Sequence, residues 1–269
     1  MPAATGLSDA NDRPEPGRFA PQWDWARFVT TADRMTPAFV DRTRPMTELV
    51  DSSILFSDGL CVCALCDLFG VDYLLEAGTG FGGSTEMFAR YFAADSRLRR
   101  IWSVDLSVHP YWQRVLGLLR VKTYSRHVWS SRRGAAGQAK ARLAPFAHVT
   151  LMRGDAFDRL PPLVTRLARE GARMGLVVDG PKGADQLRLA EQLFALSPQV
   201  RFAALDDIGP MFDAEGRHAQ FRRSRFARFA TSDEAFFERY GAINAGRLPA
   251  RMRGRPEHRG YGLGVLVND

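Results

Sequence analysis

A mostly parallel β-sheet with helices on both faces is the fold this sequence predicts, and three observations predict it. Short apolar runs alternate with stretches of helical period, the pattern of βαβ units. A glycine-rich turn, EAGTGFGGS (76–84), joins the first apolar run to the helix after it. Acids stand at or just past the ends of the later runs: Asp105, Asp155, Asp179, Asp206 and Asp207. The 269 residues suffice for one core without staples. With 45% hydrophobic and 25% charged residues, a disordered or fibrous chain is excluded.

The elements follow in order. Residues 1–20, rich in Pro, Asp and small side chains, read as a flexible tail. Residues 21–70 read as an N-terminal helical extension, with Asp51 or Ser52 as N-cap before ILFSDGLCVCALCDLFG. The domain proper takes residues 71–269. VDYLLEAG (71–78) is the first strand and STEMFARYFAA the helix after the turn. IWSVDL (101–106), HVTLMRGD (148–155), GLVVDG (175–180) and VRFAALDD (200–207) are the next four strands. FDRLPPLVTRLAREG and GADQLRLAEQLFAL are helices between them, and GYGLGVLVN (260–268) is a last strand. Between the second and third strands, at about 107–146, lies far more chain than a crossover needs. This basic, lid-like insertion carries HPYW (109–112), so His109, with Tyr111 and Trp112, is a candidate for the acceptor pocket.

Composition narrows the function classes. Cys61, Cys63 and Cys66 sit within six residues of an apolar helix, which suits core packing rather than a disulfide framework or a zinc site. No apolar run approaches the ~20 residues of a membrane span, and the acidic, proline-bearing start does not resemble a signal peptide. A cytoplasmic protein without a membrane partner is the expectation. His127, His148, His218 and His258 show no metal spacing, and no nucleophile elbow points to a hydrolase. The net charge is +7, and all but three of the 37 basic side chains are arginine. Residues 107–154 hold nine basic side chains and no acid, and RHAQFRRSRFAR (217–228) is a second basic run. Such fields attract anions. The second run mixes charge with aromatics as nucleic-acid surfaces do, but an amphipathic helix with its phenylalanines inward is the preferred reading.

Glycines in a strand-to-helix turn let a ligand approach the backbone beside free helix N–H groups. Gly78, Gly80 and Gly83 satisfy the dinucleotide pattern, but the row of acids at the same sheet edge would repel a pyrophosphate. It suits a ligand with a ribose diol and amino groups. Glu76, Gly78, Gly82 and Ser84 form E-x-G-x-x-x-G-x-S, and SVDLSVHP, VTLMRGDAFDRLPPL and VVDGPK follow. In these residues, over about 70–210, the chain resembles class I S-adenosylmethionine (SAM) dependent methyltransferases. It is most similar to the cation-dependent O-methyltransferases of the catechol and caffeoyl-coenzyme A type and to those of antibiotic sugars. The resemblance implies a Rossmann-like fold and SAM as cofactor. It implies that Glu76, Gly78 and Ser84, on a turn that includes Gly80 and Gly82, hold the methionine part. Asp105 would then take the ribose, and Asp155, Ala156 and Phe157 would surround the adenine, with Asp179 also at the cofactor's edge.

Asp179 and Lys182 match the D-x-x-K of that family, and Asp206 and Asp207 end the next strand. Adjacent parallel strands would bring these carboxylates together, and carboxylates so close call for a hard cation such as Mg²⁺. Asp179, Asp206 and Asp207 are therefore the expected metal ligands. A metal there would favour the oxyanion of an acceptor hydroxyl. Lys182, with a lowered pKa, would be the base and Asp179 its catalytic neighbour. The leading expectation is cation-assisted O-methylation of a small acceptor, a sugar or phenol, with an anionic one suited to the arginines. An RNA methyltransferase is the first alternative; a nicotinamide-dependent oxidoreductase and a non-catalytic cofactor-binding protein are the others. Homo-oligomerisation is left open.

Overall fold

The computed structural model describes residues 23–46, 54–93, 98–106, 135–209, 216–248 and 262–269. The tail, the Asp51/Ser52 cap, His109, Tyr111, Trp112, His127, His258 and most of the insertion lie outside the described residues.

Each of the five early apolar runs is a strand: β1 (Tyr73–Ala77), β2 (Arg100–Asp105), β3 (Val149–Arg153), β4 (Met174–Val178) and β5 (Val200–Leu205). All four pairings among them are parallel. β6 (Ala227–Ala230) and β7 (Gly264–Val267) complete one sheet of order β3-β2-β1-β4-β5-β7-β6, in which β7 runs antiparallel to both its neighbours. The fold is thus an α/β, Rossmann-like sheet. The strand order proceeds from β1 out to β3 and restarts at β4. That reversal opens a crevice between the carboxyl ends of β1 and β4, where open α/β sheets take their ligands.

Two apolar layers cover the sheet. On one face lie α1 (Trp25–Thr43), α2 (Phe56–Phe69) and α3 (Gly83–Phe92). Asp24 caps α1 by accepting the Ala26 N–H, and Phe28, Ala32, Met35 and Phe39 repeat at the three- and four-residue spacing that buries one face. α2 is buried nearly all round, with Cys61, Cys63 and Cys66 among its packed side chains. Burial raises the pKa of all three thiols, so they are inert core groups as expected. Each large apolar side chain so enclosed contributes roughly 1.5–3 kcal/mol. The chain leaves α2 through Gly70 in the left-handed conformation. Within the 21–70 segment, α1 and α2 therefore pack into the core of the sheet.

The other face carries α5 (Ala156–Arg169) and α6 (Ala184–Leu196), while α4 (Ala135–Leu143), just before β3, packs against α3. Past β5 come α7 (Arg217–Arg223) and α8 (Glu234–Tyr240). Here one sequence expectation is corrected. The run 217–229 is not a single amphipathic helix, because α7 stops at Arg223 and β6 begins four residues later. Its phenylalanines divide between the two faces: Phe221 and Phe226 join the α5/α6 layer, while Phe229 packs against Trp23, Trp25 and Phe28. One helix could not serve both layers. Three arginines of the run are also tied down, Arg217 by Asp207, Arg222 by Asp233 and Arg228 by Asp269.

Candidate active site

The crevice is framed by two glycines. Gly78 follows β1 with φ +108°, and a Cβ on it would lie 2.2 Å from the backbone nitrogen of Gly180, which follows β4. Gly78 thus serves close approach of two strand ends. Gly80 differs: its φ is +51° and nothing lies within 4 Å of the place a Cβ would take. The turn is open there, and its shape is held by Asp105, whose Oδ2 accepts the Gly80 N–H at 2.6 Å. Gly82, at φ +80°, is the N-cap residue of α3, and α4 packs on it through Ala139 and Leu143. Ser84 is buried and accepts the Ile54 N–H, anchoring the approach to α2.

Glu76 lies wholly buried on β1. Its Oε2 accepts hydrogen bonds of 2.5 Å from both Thr85 and Ser103, and Thr79 extends the chain to Ser103 at 2.6 Å. Its Oε1 has no hydrogen-bond partner. Burial, aided by the charge of Asp105 and opposed by the two hydroxyls, pushes its pKa up to about 7. A buried carboxyl oxygen without a donor beside an open glycine turn fits a ligand carrying an ammonium group, so these residues fit the SAM that the sequence implies. Asp155 caps α5 by accepting the Phe157 N–H at 2.9 Å, which sets Ala156 and Phe157 at the tip of β3.

On the other side of the crevice the strand register does what adjacency predicts. Val178 pairs with Leu205, so Asp179, Asp206 and Asp207 emerge together. Gln186 from α6 is buried and donates to the carbonyls of both Val178 and Asp206, tying the two strand ends. Asp207 has φ +56°, a left-handed conformation that is uncommon for a residue with a side chain. Lys182 Nζ lies 2.8 Å from Asp179 Oδ1, 3.1 Å from Asp206 Oδ2 and 2.9 Å from Asp207 Oδ2.

That arrangement bears on two expectations, the lysine base and the metal ligands. Burial favours the neutral amine of Lys182, but the charges of Asp179, Asp206 and Asp207 outweigh it and raise the pKa well above the ordinary lysine value. A base needs a lone pair, and an ammonium held by three carboxylates has none to offer. The carboxylates, meanwhile, surround the ammonium at hydrogen-bond distances, where Mg²⁺ demands oxygens at about 2.0–2.1 Å. Among the described residues no group of three or more His, Cys, Asp or Glu is placed to hold a metal. As arranged, Asp179, Asp206 and Asp207 do not fit Mg²⁺. The carboxyl groups are still perturbed: burial and the charge of Asp179 push Asp206 up to about 7, and burial and Asp206 raise Asp207.

Several participants gave no sequence signal. Asp58, fully buried on α2, accepts from Thr231 at 2.5 Å across 173 residues of chain. Burial chiefly, with a smaller push from Asp206, raises its pKa to about 7. Thr85, Ser103 and Gln186 are ordinary residues whose role appears only once the strands are aligned. No helix among the described residues is long and apolar enough to cross a membrane.

No family model matches the chain, and no curated protein does. Solved structures do. The O-methyltransferase TomG from Streptomyces achromogenes, involved in tomaymycin synthesis and in complex with SAM, is similar at 17% identity over 92% of each chain, with a TM-score of 0.41. An O-methyltransferase from Bacillus cereus in complex with SAH is similar at 14% identity over 92% of this chain and 93% of that one, with a TM-score of 0.41. The SAH-bound Podospora anserina methyltransferase PaMTH1 is similar at 13% identity over 94% and 100%, with a TM-score of 0.42.

Proposed function

We propose that this chain transfers a methyl group from SAM to a hydroxyl of a small acceptor. The observation that carries this reading is the pairing of two unlike features across one crevice. An open glycine turn beside a donor-poor buried carboxyl stands at β1, and a cluster of carboxylates with perturbed pKa values stands at β4 and β5. The sequence motifs around both point the same way.

Glu76 Oε1 would accept from the ammonium of the methionine part, and Asp105, which already fixes the turn, would take the ribose hydroxyls. The tip at Asp155, Ala156 and Phe157 would border the adenine. When bound, SAM supplies a methyl group made electrophilic by its sulfonium. The chain's own part is to hold the acceptor oxygen in line and to receive its proton. Asp206, with a pKa near neutrality, would take that proton, with Asp179 beside it, in place of the lysine expected from sequence. A sugar or phenol suits the setting, and an anionic one would complement the arginines. RNA is disfavoured because three arginines of the second basic run already face carboxylates.

Calorimetric titration with SAM and with NAD tests the reading. SAM should bind, NAD should not, and Asp105→Ala should weaken SAM by roughly tenfold or more, the worth of one charge-assisted hydrogen bond. Binding of NAD alone would sink it.

A further inference from the structure

We infer that Lys182 is the resident cation of the carboxylate cluster, occupying the place a divalent metal would need, so that this site works without one. The geometry is specific. A lysine ammonium carries three N–H donors and no acceptor, and Lys182 Nζ stands within 3.1 Å of one oxygen from each of Asp179, Asp206 and Asp207. Two of those contacts have hydrogen-bond geometry, to Asp179 and Asp206. The three acids come from two strand ends that Gln186 locks together, and Asp207 keeps a left-handed backbone to take part. Arg217 adds a second positive charge 3.9 Å from Asp207. A divalent ion entering this cluster would have to expel the ammonium or sit a few ångströms from it, and like charges at that range repel by several kcal/mol at a protein-like dielectric. Lys182 lies only three residues beyond Asp179 on a loop pinned between β4 and α6. It is therefore delivered with the fold rather than acquired from solution. The inference rests on the proposed methyl transfer only for its consequence, a transfer that needs no added metal.

The experiment titrates metal-stripped protein with Mn²⁺, reads the bound ion by electron paramagnetic resonance, and follows SAM by calorimetry in the same samples. Wild type is expected to show no saturable Mn²⁺ at the cluster. Lys182→Gln should bind Mn²⁺ about a hundredfold more tightly than wild type, Lys182→Arg should exclude it, and adding Asp179→Asn to Lys182→Gln should abolish the new site. Saturable Mn²⁺ binding by wild type that Asp179→Asn removes overturns the inference. A folded Lys182→Gln that takes no Mn²⁺ overturns it equally. Should Lys182→Gln unfold in chelator, refolding on addition of Mn²⁺ supports the inference and continued unfolding overturns it. If SAM fails to bind wild type, the proposed function falls while the Mn²⁺ result still decides this question.

Discussion

The two walls of the crevice reach similar proton affinities by opposite routes. Glu76 on β1 and Asp206 past β5 both have pKa values pushed to about 7. Glu76 gets there by burial and a push from Asp105, opposed by the Ser103 and Thr85 hydroxyls, with one oxygen unpartnered among the described residues. Asp206 gets there by burial and repulsion from Asp179, opposed by the ammonium of Lys182. In the first wall the carboxyl faces hydroxyls and the charge of Asp105. In the second the carboxylates face an ammonium of the chain's own, Lys182. A perturbed pKa therefore marks both walls without distinguishing them, and the partner of each carboxyl decides what it can bind.

The largest test of this contrast separates the two glycines. Alanine at Gly78 would drive a methyl group to 2.2 Å from the Gly180 nitrogen and 2.7 Å from its Cα, backbone that yields only if β1 and β4 part. Gly78→Ala should cost about 3 kcal/mol or more, read as a large fall in the urea midpoint. Gly80→Ala meets no atom within 4 Å. It should cost about 1 kcal/mol for its left-handed backbone and show its main effect as weaker SAM binding. Equal stability of the two variants would mean that the strand ends are not in contact.

Next in size is the pH response of the first wall. The folded-state pKa of Glu76, about 7, lies above its ordinary value of 4.5, so folding is favoured where the group is protonated. Its contribution is present below pH 4.5 and is lost as pH rises through about 7, on the order of 3 kcal/mol in all. Glu76→Gln, which keeps the shape without the charge, should remove that share of the decline, measured as denaturant midpoints from pH 5 to pH 8.5. Asp58 and Asp206 have raised values of the same sign, so a shallower decline should persist. Identical slopes in variant and wild type would show that Glu76 is not the neutral group described.

Much of this was legible in the sequence, and the gaps are physical. Buried parallel strands read as continuous apolar runs, so β1 to β5 and the acids at their ends were visible. The meeting of Asp179 with Asp206 and Asp207 followed from adjacency alone. β6 was hidden because Ala227–Ala230 is too short for alternation to outweigh the arginines around it. The close approach of Gly78 to Gly180 is invisible in the sequence, which cannot show the two strand ends side by side. The D-x-x-K match shows Lys182 only beside Asp179, whereas its contacts with Asp206 and Asp207, 24 and 25 residues on, become visible only when the strands are aligned. Asp58 gave no signal, since its partner Thr231 is 173 residues away.

The smallest predicted effect concerns the outer cation of the second wall. Arg217 lies 3.9 Å from Asp207, whereas Lys182 stands within 3.1 Å of all three carboxylates. If the cluster is balanced chiefly by Lys182, Arg217→Ala should lower stability by only about 1 kcal/mol, part of it lost packing of the arginine stem. It should also leave Mn²⁺ excluded. If Arg217→Ala instead admits Mn²⁺ as readily as Lys182→Gln does, the balance is shared across both cations. The contrast between the walls would then lie in the net charge of the whole edge, and the position of one ammonium would matter less than the number of positive charges around it.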